Sequence, residues 1–181
     1  MTKNPIAAAL CTFALALVVT SSHAEQPYRT VSLGKTCSVS IPTAWKEEPV
    51  HWNMPGVIQK SAVHHELTRY KHGGLTFEVS CFKSKRSART GSAESQAVTR
   101  LSSAPDVTDF SYECKPHKVT GAASRRCEMR YKERGQPVHL STLYIFPDKD
   151  PNVECSLAAA YPGSSSRKEI DRVFASVKLA K

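Results

Sequence analysis

The stretch CSVSIPTAW (Cys37 to Trp45) alternates apolar and polar residues and then stops at a proline and a tryptophan. Side chains two apart share one face of a strand, so Cys37, Val39 and Ile41 point together toward a core. Pro42 has no N–H to give a ladder, and the strand ends there. With Tyr28 to Leu33 before it and a turn at Gly34-Lys35, the stretch predicts an N-terminal hairpin. A cysteine opening such a strand is a catalyst, a metal ligand or a staple in the core. The other cysteines decide among the three.

The chain has six cysteines in 181 residues. The first, Cys11, falls in MTKNPIAAALCTFALALVVTSSHA (1–24), where Lys3 precedes an apolar run from Ile6 to Val19 and a small-x-small site at Ser22-His23-Ala24. That is the pattern of a signal peptide cleaved after Ala24. The run is short of the ~20 residues a membrane span needs. Leu10 stands where a bacterial lipobox would place a small residue. The expected product is Glu25 to Lys181, a single domain that is periplasmic or secreted.

Five cysteines remain in that product: Cys37, Cys81, Cys114, Cys127 and Cys155. Disulfides form in an oxidising compartment, and an odd count leaves one thiol over. No C-x-x-C spacing suggests a redox pair or a zinc site. Strand parity puts Cys81 with Leu75, Phe77 and Val79, and Cys114 with Phe110 and Tyr112. It puts Cys127 with Met129 and Tyr131, and Cys155 with Val153 and Leu157. All five face the predicted core, which favours structure over chemistry. Cys114 and Cys127 flank KPHKVTGAASRR, read as the connection between consecutive strands, and are the first choice for a pair. Closing that loop contributes roughly 3 kcal/mol in the chain-entropy model. The second pair comes from Cys37, Cys81 and Cys155, and the three pairings stay open.

Along the chain, Glu47 to Pro55 is polar and proline-punctuated, a loop. His64 to Tyr70, Gly73-Gly74 and Leu75 to Phe82 predict a second hairpin. Ser92 caps a helix with Glu94 in its first turn and an apolar side at Ala93, Ala97, Val98 and Leu101; Pro105 follows it. Strands return at Phe110 to Cys114, Arg126 to Lys132, Val138 to Phe146 and Val153 to Tyr161, with turns at Arg134-Gly135 and Pro147 to Asn152. Ser166 and Glu169 have capping-box spacing, and Ile170, Val173, Phe174 and Val177 form one helical stripe. Short turns make the sheet mainly antiparallel, with about six to eight strands by this reading. The class is α+β.

This order resembles the PsbP-like superfamily. The residues that carry the resemblance are the strand ending in Pro42 with Trp45 soon after, VTGAASRRCEMRY (119–131), and the closing helix IDRVFASVKL. That group includes the photosystem extrinsic protein PsbP, envelope proteins of the DcrB type and chaperones for type VI secretion effectors. The resemblance implies an α/β/α sandwich and a binding or assembly module without an active site.

No cofactor or nucleotide motif occurs: G-x-S-x-G, P-loop and dinucleotide fingerprints are absent. Asp148, Asp150 and Asn152 imitate the start of a calcium loop, but Val153 replaces the required glycine and Ala159 the bidentate glutamate. His64 and His65 are adjacent and point to opposite strand faces, while His51, His72, His117 and His139 are scattered. Neither cofactor nor metal is expected. The formal charge is +9, and two basic stretches stand out. FKSKRSART carries Lys83, Lys85, Arg86 and Arg89; CKPHKVTGAASRR carries Lys115, Lys118, Arg125 and Arg126. Both are expected in solvent-facing connections, able to grip phosphate or carboxylate. Aromatics are not interleaved with them, which argues against a nucleic-acid platform. The expectation is a non-catalytic exported module that binds a protein or an anionic envelope component, membrane headgroups included. Its narrower version is an envelope inhibitor or immunity protein that blocks a toxin or hydrolase. The competing class is an enzyme using the unpaired cysteine.

Overall fold

The computed structural model describes residues 27–33, 35–50, 62–84, 93–162 and 166–180. The signal-peptide segment, His51, Lys85, Arg86 and Arg89 lie outside the described residues. In chain order the elements are β1 (Tyr28–Leu33), β2 (Cys37–Pro42), β3 (Lys46–Glu48), β4 (Ala62–His72), β5 (Leu75–Ser84) and α1 (Ala93–Ser102). Then come β6 (Val107–Pro116), β7 (Ala122–Glu133), β8 (Gln136–Pro147), β9 (Val153–Tyr161), α2 (Arg167–Ala175) and β10 (Lys178–Leu179).

The strands form two sheets, and every pairing is antiparallel. A seven-stranded sheet runs β3-β4-β5-β9-β8-β7-β6, and a three-stranded one runs β1-β2-β10. The α+β reading and the two hairpins therefore stand, with the N-terminal hairpin in a sheet of its own.

Alternation in β2 does what the sequence predicts. Cys37, Val39 and Ile41 are buried and the serines between them are half-buried. They join Trp45, Phe77, Leu157, Val173 and Phe174 in one apolar cluster. This is the layer between the small sheet, α2 and one face of the large sheet. The opposite face carries a second cluster, in which Cys127, Met129, Tyr144 and Phe146 meet Ala97, Val98 and Leu101 of α1. Burial on both faces explains why Leu143 to Phe146 are all buried and read as a continuous run instead of alternating.

Several boundaries differ from the sequence reading. The polar loop after Trp45 contains β3, whose Lys46 to Glu48 pair with Arg69 to Lys71 of β4. Three charged residues carry no apolar signal, and Lys71 holds Glu48 at 2.8 Å. The last helix stops at Ala175, and Lys178-Leu179 turn back as β10 against Ser38 and Cys37. Ser176 fixes that exit: its Oγ accepts from the Ser40 N–H at 2.9 Å and donates to the Val173 carbonyl at 2.6 Å. The capping box does not form. Ser166 has helical dihedrals (φ −85°, ψ −4°) and its side chain makes no capping bond, because an N-cap oxygen reaches inward only from extended backbone. Finally, β6 runs to Pro116 and β7 starts at Ala122, so the supposed connection is a turn of a few residues around Gly121 (φ +80°).

Candidate functional site

Register, invisible to parity, settles which cysteines are neighbours. Cys81 lies directly opposite Cys155 in the β5–β9 pair, and Cys114 opposite Cys127 in β6–β7. Opposed positions that exchange no backbone hydrogen bonds bring Cα atoms to about 4.5 Å, and these pairs are bonded with Cα separations of 4.1 and 4.0 Å. The two disulfides sit on opposite faces of the large sheet, one in each apolar cluster. Among the described residues Cys37 is the free thiol, buried, with its Sγ 3.8 Å from that of Cys81.

Cys37 is a poor nucleophile where it sits. Burial, with Glu66 adding to it, pushes its thiol up to about 12, whereas the reactive species is the thiolate. The unfolded thiol titrates near 9.0, so the proton is held more tightly in the folded state. The fold therefore keeps this contribution below pH 9 and loses it as pH rises from 9 toward 12. Tyr144, raised by burial and by Glu154, acts in the same direction. Iodoacetamide at pH 8 is expected to leave Cys37 unmodified in native protein and to alkylate it once urea unfolds the chain. Modification of native protein at the rate of a free thiol would contradict this environment. Two groups of metal-ligating atoms occur among the described residues, Cys37–Cys81–Cys155 and Glu94–Cys114–Cys127. Each contains a disulfide, so the thiolates that a metal would need are already oxidised.

The basic residues divide among separate places. Arg125 and Arg126, expected in a solvent-facing connection, lie inside β7 and point to opposite faces of the sheet. Arg125 pairs with the buried Glu94 of α1 and stacks 5.6 Å over the Phe146 ring. Arg126 donates from Nε to Glu128 at 2.6 Å and to the Ser141 hydroxyl at 3.1 Å, and from Nη1 to Asp171 of α2 at 2.5 Å. Its guanidinium lies 5.1 Å over Phe174. Each arginine thus pins one helix to the sheet. Lys115 is exposed and held at 3.0 Å by Glu113; Lys118 is exposed in the turn.

Two grooves gather what remains. The smaller, about 510 Å³, lies over β6 and β7 and brings Lys115 and Arg126 together with His117, Arg130 and Arg167, opposed by Glu113 and Glu128. Sequence reasoning missed Arg130 and Arg167, although Arg130 shares the strand face of Arg126 by parity. Burial, with Arg126 close by, holds His117 below the ordinary imidazole value and therefore neutral at pH 7.

The larger groove, about 1190 Å³, opens where the small sheet and the large sheet diverge. Its deeper lining includes Cys81, Pro147, Val153, Val177 and Leu179. Val177 and Leu179 are half-buried and border the main apolar cluster. Lys35, Lys149 and Lys178 are exposed at its margin, and no ion pair engages them among the described residues. Lys83, from the first basic stretch, also lines it but is tied to Asp150 at 2.7 Å. The Asp148 to Asn152 segment is the turn between β8 and β9, as its missing calcium ligands imply. There the Asp150 side chain accepts from the Asn152 N–H at 3.2 Å and so serves the turn. No helix among the described residues is long and apolar enough to cross a membrane.

No protein-family model and no curated protein matches this sequence. Solved structures do share its architecture. The solution structure of the cyanobacterial PsbP protein, CyanoP, from Synechocystis aligns with a TM-score of 0.57, covering 90% of this chain and 98% of that one at 10% identity. LpqN of Mycobacterium tuberculosis, described as involved in cell envelope biogenesis, aligns with a TM-score of 0.53 over 86% of this chain and 91% of its own at 11% identity. The chain has the PsbP-like fold, and at these identities the likeness is one of fold.

Proposed function

We propose that this chain is a non-catalytic exported module that binds an anionic component of the cell envelope. The observation that carries the reading is the large groove, where three lysines stand without ion-pair partners among the described residues, beside a partly exposed apolar surface. A formal charge of +9 strengthens attraction to anionic surfaces at long range. The signal-peptide pattern and two disulfides support export, because cross-strand disulfides persist in oxidising compartments. The free cysteine is buried with a raised thiol, which favours binding over cysteine-dependent catalysis.

Retention on phosphatidylglycerol vesicles at low ionic strength, compared with phosphatidylcholine vesicles, tests this reading. Retention is expected on the anionic vesicles only and should fall with added salt. Each lysine that contacts the surface contributes about 1 kcal/mol, so changing Lys35, Lys149 and Lys178 to glutamate together should lower the partition coefficient by at least ~100-fold. Equal retention on both vesicles, or retention insensitive to the triple change, would reject the reading.

A further inference from the structure

We propose that the large groove is a binding site for a single-chain amphiphile with an anionic head, its apolar chain lying along Val153, Val177 and Leu179. This rests on the preceding reading that the partner is anionic. It adds that the ligand enters the protein and does not merely attract it to a surface.

The apolar layer between the two sheets does not close at this end. Val153 is buried, but Val177 and Leu179 border the cluster only half-buried, so apolar surface of the core continues into an open groove. The groove, about 1190 Å³, is somewhat larger than the common range for small-ligand sites, about 300–1,000 Å³. One wall is held by backbone: the Gly121 carbonyl accepts from the Asp148 N–H at 3.0 Å, and a Cβ at Gly121 would sit in ordinary contact, 3.5 Å, with Leu179 Cδ1.

The charges favour an anion at the mouth. Lining the groove are four lysines and three acids. Asp150 is neutralised by Lys83, and Glu66 and Asp148 hold interactions of their own. Lys35, Lys149 and Lys178 have no ion-pair partner among the described residues. An extended peptide fits less well. The edge strand that lines the groove is β10, only two residues long, and strand addition draws its affinity from a longer row of backbone hydrogen bonds. An acyl chain has no backbone to satisfy and asks only for apolar surface.

Calorimetric titration and native mass spectrometry with dodecyl phosphate, below its micelle concentration, test the proposal. Dodecyl maltoside and inorganic phosphate serve as the head-only and chain-only controls in reverse: one has the chain without the charge, the other the charge without the chain. One dodecyl phosphate should bind per protein, and each control at least ten times more weakly. Ala180→Trp, at an exposed position of the groove, should block the chain and reduce binding at least tenfold with an unchanged melting temperature. Lys149→Glu with Lys178→Glu should weaken dodecyl phosphate and leave dodecyl maltoside unaffected. Equal binding of phosphate and maltoside heads, or full binding by Ala180→Trp, would overturn the site. If dodecyl phosphate does not bind while phosphatidylglycerol vesicles still retain the protein, the groove proposal fails and the anionic reading survives. If the vesicles also fail to retain it, both fall.

Discussion

Replacing Trp45 with alanine is expected to lower the unfolding free energy by about 3–5 kcal/mol, the range for large aromatic truncations in a core. Trp45 is 1% exposed and its ring lies 5.0 Å from that of Phe77. It occupies the layer between the sheets immediately after the strand that Pro42 ends, so its loss opens a void where β2 meets β5. The indole N–H has no hydrogen-bond partner among the described residues. Trp45→Phe therefore forfeits packing volume and no hydrogen bond, and should cost roughly half as much or less. Urea titrations of both variants check this. A phenylalanine variant as unstable as the alanine one would mean that the N–H is bonded in solution.

The second large effect concerns the three clustered cysteines. The Cys81–Cys155 bridge spans a sequence separation of 74, a closure worth about 4–5 kcal/mol in the chain-entropy model. Cys155→Ala alone should not lose that amount. Cys37, at 3.8 Å from Cys81 Sγ with a separation of 44, can take the vacated place, and the shorter loop is weaker by only about 0.5 kcal/mol. The double variant Cys37→Ala with Cys155→Ala has no such substitute and should be less stable than the single one by about 4 kcal/mol. Peptide mapping of oxidised Cys155→Ala is expected to find a Cys37–Cys81 link. Two free thiols in that variant, with stability equal to the double, would show that the cluster does not exchange partners.

The cysteines also show how far the sequence could be read. Parity gives a face for each strand residue, and it placed all five cysteines toward apolar surroundings. It does not give register or tell one face of a sheet from the other. Cys114 and Cys127 face α1, while Cys81 and Cys155 face α2 and the small sheet, from which Cys37 points back at them. The short loop made the first pair legible. The second required β5 to lie beside β9, a pairing of strands far apart in sequence.

Arg125 and Arg126 sit in a strand and not in a connection for a related reason. Arg125 and Arg126 look like a solvated run because adjacent charges beside Gly121 suggest a loop. In a strand the same two residues diverge to opposite faces, where each meets an acid on a different helix: Glu94 of α1 for one and Asp171 of α2 for the other. Their partners lie 31 and 45 residues away in sequence, so no local pattern announces them.

By itself the sequence determined the longer strands, both helices, the apolar faces and the PsbP-like element order, because these follow from local periodicity and turn chemistry. Tertiary structure alone decided that CSVSIPTAW belongs to a small separate sheet closed by β10, that Cys37 rests on a disulfide, and that a groove lies where the sheets part. Those features are contacts between distant segments. Their energies depend on register and layer packing, which single-strand periodicity does not encode.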